Sequence, residues 1–217
     1  MQSKAVLLIG ASAAGKRTVI RNLQQICSDS GALSDLRVAE RTTTLKARAG
    51  TEPSDQDHFM DREAFYTATR TGTIDVHWKR MVALNQVQEY GLSLARELDH
   101  DGLVLVSAHS SLDWTKQKSL RTLRTEGRLM IVRLHASVDT RLRRLNAYDP
   151  KLSQEEVAAR MVEPPGYLLP DPDFVILNNP PHDAYAAEKL MGYMTALRFF
   201  SLPFSGMLVA RSFAARN

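Results

Sequence analysis

The chain has 217 residues, 44% hydrophobic and 24% charged, a globular balance that excludes wholesale disorder, collagen-like repetition and coiled coil. Lys and Arg number 28 against 24 Asp and Glu, a formal charge of +4. That excess suits a phosphate-bearing small molecule and lacks the dense basic stripe of a nucleic-acid groove.

In chain order, residues 5–9 (Ala-Val-Leu-Leu-Ile) predict a buried strand running into a glycine-rich turn. A helix follows from about Gly15 to Cys27, with Val19, Ile20, Leu23 and Ile26 at core-facing spacing. Cys27, the lone cysteine, reads as a half-buried apolar residue; with no disulfide partner it points to a reducing cytoplasm. Residues 36–40 predict a short strand and 41–57 an exposed basic loop broken by Gly50 and Pro53. Asp61 caps a helix to about Thr69, ended by Gly72. Residues 73–78 predict a strand, 79–88 are ambiguous, and 92–99 predict a helix. Strands are expected at 103–106 and 129–134, and a basic helix at 138–145. A helix at 153–161 carries a capping box of Ser153 and Glu156. Residues 163–172 read as a Pro-rich linker, 174–177 as a last strand and 182–197 as a helix. The apolar tail from 199 should pack on the body or on another subunit. No run approaches the roughly 20 apolar residues of a membrane span. The alternation of strands and helices predicts an α/β fold of three layers with a central parallel sheet.

The first strand is followed by Gly10-Ala-Ser-Ala-Ala-Gly15-Lys16-Arg17-Thr18, the Walker A spacing in the strand–turn–helix setting that its physics requires. Backbone N–H groups of residues 10–18, including Ser12, Ala13 and Ala14, can converge on a phosphate chain. The helix amino terminus adds positive potential, and Lys16 meets the outer phosphates. The hydroxyl residue usual after the lysine is Arg17 here, with Thr18 one position later, which leaves the metal ligands unassigned.

With this loop in place the chain resembles the guanylate-kinase superfamily of P-loop kinases over roughly residues 5–195. Thr43-Thr44-Leu45-Lys46-Ala47-Arg48-Ala49-Gly50-Thr51-Glu52 is similar to the acceptor-phosphate loop, with Leu45 where a first arginine is expected and Arg48 matching the second. Asp57-His58-Phe59 stands where the family has Tyr-His-Phe, and Tyr90-Gly91-Leu92-Ser93 resembles its Tyr-Gly and small hydroxyl. His77-Trp78 occupies the place of the guanine-reading glutamate, and Asp75 would need a bulge to substitute. Residues 104–107 end without the family's carboxylate. The likeness is stronger to the ribose 1,5-bisphosphate phosphokinase branch, active in phosphonate breakdown, than to guanylate kinase. It implies ATP and Mg²⁺ as cofactors and a small phosphorylated acceptor as substrate, in a monomer or homodimer.

The resemblance also implies an acceptor-binding insertion at about 37–95, a lid at about 141–161, a core of about 1–36, 96–140 and 162–198, and a tail at 199–217, all in one domain. In the lid Arg160 matches a family arginine, whereas the tip reads Ala147-Tyr148-Asp149, and Lys151 or Arg144 could reach the same place. Arg141, Arg143 and Arg144 are either a solvated helix face or nucleotide clamps. Arg41 and Arg48 are either acceptor-phosphate ligands or exposed loop residues. Thr44 and Ser93 fall in the acceptor motifs; His58 is the more structural of the two histidines there, and His77 stays open between acceptor contact and packing. Tyr90 either donates to a phosphate or fills core. Asn178, before Asn179-Pro180-Pro181, resembles the adenine-side loop and is also plain turn chemistry. His109, Ser110 and Ser111 lack nucleophile-elbow spacing, which disfavours a hydrolase. Two further readings stand beside the kinase: a nucleotide-binding module whose acceptor and lid residues (Leu45, Asp57, Tyr148) have decayed, and nucleic-acid binding through residues 41–48.

Overall fold

In the computed structural model, residues 2–44, 57–83, 86–162, 171–180 and 185–199 are described. Five parallel strands form the central sheet in the order β2-β7-β1-β8-β9: β1 (Lys4–Gly10), β2 (Leu36–Val38), β7 (Leu103–His109), β8 (Leu129–His135) and β9 (Phe174–Leu177). β1 lies between β7 and β8, so the chain reverses its direction of progress across the sheet at β1. Ligands of open α/β sheets bind at such a point, outside the carboxyl ends of the strands.

Because side chains alternate across a strand, β1 feeds two cores. Val6 and Leu8 pack with Val19, Ile20 and Leu23 of α1 (Lys16–Ser30) and with Leu190, Met194 and Leu197 of α7 (Ala186–Phe199). Ala5, Leu7 and Ile9 face the other way, toward Leu120 and Leu123 of α4 (Lys118–Thr125) and toward a second sheet. That second sheet has the order β4-β3-β6-β5, from β3 (Arg41–Thr43), β4 (Asp57–Phe59), β5 (Val76–Ala83) and β6 (Gln86–Leu92). Val76, Trp78, Tyr90 and Leu92 belong to the same core as β1, which seats the second sheet against the first.

The structure corrects several boundaries. Arg41–Thr43 is a strand instead of the start of an exposed loop, pairing with Gly91 and Tyr90 on one side and with residues 57–59 on the other. Its polar composition conceals it because both partners come from far along the chain. In the ambiguous stretch, residues 79–83 and 86–88 belong to the antiparallel pair β5–β6, fastened by Trp78 stacked on Tyr90 (ring centroids 5.8 Å apart) and by Lys79 paired with the buried Glu89 at 3.2 Å. Leu92 ends β6, so the helix expected over 92–99 shrinks to α3 (Leu94–Glu97). α4 and a 3₁₀ turn (Trp114–Lys116) occupy a stretch to which the sequence assigned no element.

Asp61 caps α2 (Arg62–Thr71), accepting from the Ala64 N–H at 2.9 Å. α5 (Val138–Tyr148) runs a turn beyond its expected end, so residues 146–148 are helical instead of a loop tip. α6 (Gln154–Met161) begins at the expected capping box, in which Ser153 N–H donates to Glu156 Oε2 at 3.0 Å and Glu156 N–H to Ser153 Oγ at 3.2 Å. α6 packs on α5 and on β5, which sets it against the second sheet. Leu45, Arg48 and the rest of residues 45–56, most of the linker, His182 and the tail beyond 199 lie outside the described residues. Among those described, no helix is long and apolar enough to cross a membrane.

Candidate active site

The glycine-rich turn sits at the carboxyl end of β1, at the switch point of the sheet. Gly15 begins α1 with φ +96°, and a Cβ there would run into the Asn178 side chain, so glycine is required both by conformation and by space. A Cβ at Gly10 would come within 2.7 Å of the Leu134 carbonyl oxygen on β8. Ala13 holds φ +58° although it is not glycine, a conformation that costs an L residue about 1–2 kcal/mol.

Four side chains fix the loop. Asn178, at the end of β9, donates its Nδ2–H to the Ala14 carbonyl at 2.7 Å, and Arg144 Nη1 donates to the same oxygen at 3.3 Å. Arg141 Nε donates to the Ser12 carbonyl at 2.8 Å, and its Nη2 reaches the Arg160 carbonyl at 3.5 Å. Lys16 spans the turn from inside, donating to the carbonyls of Gly10 and Ala11. Two of its three ammonium protons are so used and one is left for a ligand. Burial, then Arg80, Arg41 and Arg141, hold the Lys16 pKa well below the ordinary lysine range. A cation surrounded by cations in a partly dry site is an anion receptor.

The three arginines around Lys16 come from three elements. Arg41 reaches in from β3, paired with Asp57 at 2.7 Å and donating to the Ser107 carbonyl at 3.3 Å. Arg80 comes from β5 and Arg141 from α5. His109, at the end of β7, faces the same space: its Nε2 lies 3.4 Å from Ser12 Oγ, and its Nδ1 accepts from the Ser111 N–H at 3.1 Å. The same Nδ1 lies 2.9 Å from Ser111 Oγ. Burial first, then Lys16, Arg80 and Arg141, push the His109 pKa down to about 2, and the imidazole is neutral at ordinary pH.

The sequence candidates divide between this chamber and the periphery. Gly10, Ser12, Ala13, Ala14, Gly15, Lys16, Arg41, Arg144, Asn178 and the Arg160 backbone gather at the turn. Arg17 and Thr18 are exposed on α1, and Arg17 Nη1 donates to the Tyr148 hydroxyl at 3.1 Å. The Thr44 hydroxyl is occupied within the second sheet, by Gln88 Oε1 at 3.2 Å and the Glu89 N–H at 3.1 Å. His58 is exposed and meets Glu40 at 3.1 Å. Tyr90 is buried against Trp78. The His77 backbone is clasped on both sides by Gln117 at 3.2 Å, and Ser93 precedes α3 without capping it. Asp75 is not turned toward an acceptor: its carboxylate accepts from Leu94 N–H at 2.6 Å and Ser119 Oγ at 2.7 Å. The basic run of α5 is split three ways, with Arg141 buried, Arg144 half-buried and only Arg143 solvated.

The turn fits a polyphosphate: a glycine-rich bend, a helix amino terminus and an ammonium with a proton to spare. Among the described residues it shows no carboxylate cluster for a divalent cation. Arg17 stands in the hydroxyl slot, His109 closes β7 where a carboxylate could sit, and no three His, Cys, Asp or Glu among the described residues gather as a metal cluster.

No family model matches the sequence, and no curated protein matches it either. Among solved structures, a guanylate kinase from Anaplasma phagocytophilum is similar over 92% of this chain and 89% of its own, at 19% identity and a TM-score of 0.55. The chain has the P-loop kinase fold. A gluconokinase from Sinorhizobium meliloti 1021 is also found, over 89% of this chain and 93% of its own, at 14% identity and a TM-score of 0.42.

Proposed function

We propose that the protein transfers the terminal phosphoryl group of ATP to a small phosphorylated acceptor, with ribose 1,5-bisphosphate as the first candidate and GMP as the second. One observation carries this reading: Lys16, inside a strand–turn–helix cradle, faces Arg41 and Arg80 contributed by a second sheet. Cations from two walls around one cradle suit two phosphate-bearing molecules brought end to end. Phosphoryl transfer asks little else of a protein than such positioning and charge. An oxygen of the acceptor's phosphate would attack the terminal phosphorus, the bond to the bridging oxygen would break, and ADP would leave. For ribose 1,5-bisphosphate the attacking oxygen belongs to the 1-phosphate and the product is phosphoribosyl pyrophosphate. With Asp75 committed to Leu94 and Ser119, that carboxylate is not free to read a guanine, which favours the sugar bisphosphate.

Purified protein supplied with ATP, Mg²⁺ and each acceptor in turn should convert one of them, read by ³¹P NMR and ADP release. Silence toward a broad panel of phosphorylated sugars and nucleotides would remove the reading. A specific observation supports the alternative of a nucleotide-binding module without turnover: Asp57 ties up Arg41, and Tyr148 holds Arg17 at the end of α5. ATP binding by calorimetry with no transfer at high enzyme concentration would select it.

A further inference from the structure

Among the described residues, Arg80 is the cation at the site whose buried Nε has no partner and with which no carboxylate pairs. On β5 it alternates in step with Val76, Trp78 and Val82, all buried, so its side chain projects to the inner face of the second sheet. The strand is anchored there by Ser111, whose Oγ donates to the Lys79 carbonyl at 2.6 Å while its backbone N–H serves His109. Arg80 thus stands beside the carboxyl end of β7, opposite the turn that holds Lys16. Its Nε is buried without a hydrogen-bond partner, and no carboxylate pairs with it among the described residues. Three other inward guanidinium groups each have a partner: Arg41 has Asp57, Arg124 grips Asp173 through two bonds of 2.6 Å, and Arg141 has the Ser12 carbonyl.

An uncompensated guanidinium next to an ammonium raises the energy of the empty protein, because burial and like charge act in the same direction. An anion between them reverses both penalties. Lys16 reaches the outer end of a phosphate chain laid on the turn, so a group that touches Lys16 and Arg80 together is the last phosphate of that chain.

We propose that Arg80 is a ligand-binding residue that receives the terminal phosphate of the polyphosphate held by the turn, and distinguishes a triphosphate from a diphosphate. This deepens the kinase reading and rests on it for the nucleotide. The arginine fork supplies two parallel N–H donors to phosphate oxygens.

The test compares a non-hydrolysable ATP analogue with ADP on the whole protein by calorimetry. Arg80→Gln should weaken the analogue by about tenfold or more, the loss of a charge-assisted hydrogen bond, while ADP affinity stays within about twofold. Arg80→Lys should recover part of the loss. Without ligand, Arg80→Gln should melt at or above the wild-type temperature, since it removes a repulsive charge; a structural arginine would lower it. Equal weakening of both nucleotides, no weakening, or a clear drop in melting temperature overturns the assignment. If the wild type binds neither nucleotide, tripolyphosphate and pyrophosphate replace them. Tripolyphosphate binding that depends on Arg80 sustains the residue's role while the kinase reading falls, and failure there too removes both.

Discussion

The phosphate turn and the second sheet use arginine in opposite ways. Around the turn, Arg141 and Arg144 spend their donors on the carbonyls of Ser12 and Ala14, so they build the cradle. Across the chamber, Arg41 is held by Asp57 and the Ser107 carbonyl, whereas Arg80 has no partner for its buried Nε among the described residues, so its charge is available to a ligand. The same residue type is scaffold on one wall and receptor on the other. What separates Arg141 and Arg144 from Arg80 is the partner: a fixed backbone oxygen consumes each of the first two, and among the described residues Arg80 has none.

That contrast can be broken by substitution. The largest effect is expected at Lys16, which belongs to both walls: Lys16→Met should abolish binding of an ATP analogue and cut any turnover by about 10²–10³, the scale of losing one preorganised donor. A variant that retains wild-type affinity by calorimetry would undo the site. Arg141→Ala should destabilise the protein by about 2–3 kcal/mol, because a buried carbonyl loses a charged donor. Arg143→Ala, one turn-face away and solvated, should stay within about 0.5 kcal/mol in urea unfolding. Equal losses at the two would mean that Arg141 is not scaffold.

A third expectation concerns pH. His109 has a folded pKa of about 2, below the ordinary histidine value, so between the two values the unfolded chain holds a proton that the folded one does not. Its contribution is neutral above the unfolded pKa and turns against folding as pH falls below it. The slope is about 1.4 kcal/mol per pH unit for one proton. His109→Gln should flatten the loss of stability between pH 6 and pH 4 by about that slope, and an unchanged pH profile would show that the imidazole is not shielded. The smallest effect is Ala13→Gly, which relieves a positive φ and should raise stability by up to about 1 kcal/mol in thermal melts. A loss there would mean that Ala13 packs better than its backbone suggests.

The parallel sheet was largely legible in the chain. Residues 5–9, 103–106 and 129–134 are largely apolar runs, and each proved to lie within a strand because strands covered on both faces need near-continuous hydrophobicity; the apolar run 174–177 is the edge strand β9. The capping box at Ser153 was equally plain, since its hydrogen bonds span only three residues. The second sheet was harder. β3 is three polar residues with remote partners, and Lys79 and Arg80 interrupt the apolar alternation of β5. The period-2 signal of Val76, Trp78 and Val82 was nevertheless present, and it would have placed Arg80 on the inner face. Arg141 offered no such signal, because helical spacing does not say which basic residue of a run meets a carbonyl 129 positions away.

Local sequence determined the cradle: glycine at positions 10 and 15, lysine at 16 and a strand before them suffice to bend the backbone around an anion, and the forces involved act over a few residues. Tertiary structure alone decided what surrounds it. Asn178, Arg80, Arg141 and His109 come from four distant elements, and their roles depend on whether folding sets each beside an oxygen, a cation or nothing. Coulomb and hydrogen-bond energies are set by distance in space, which a linear order of residues does not contain.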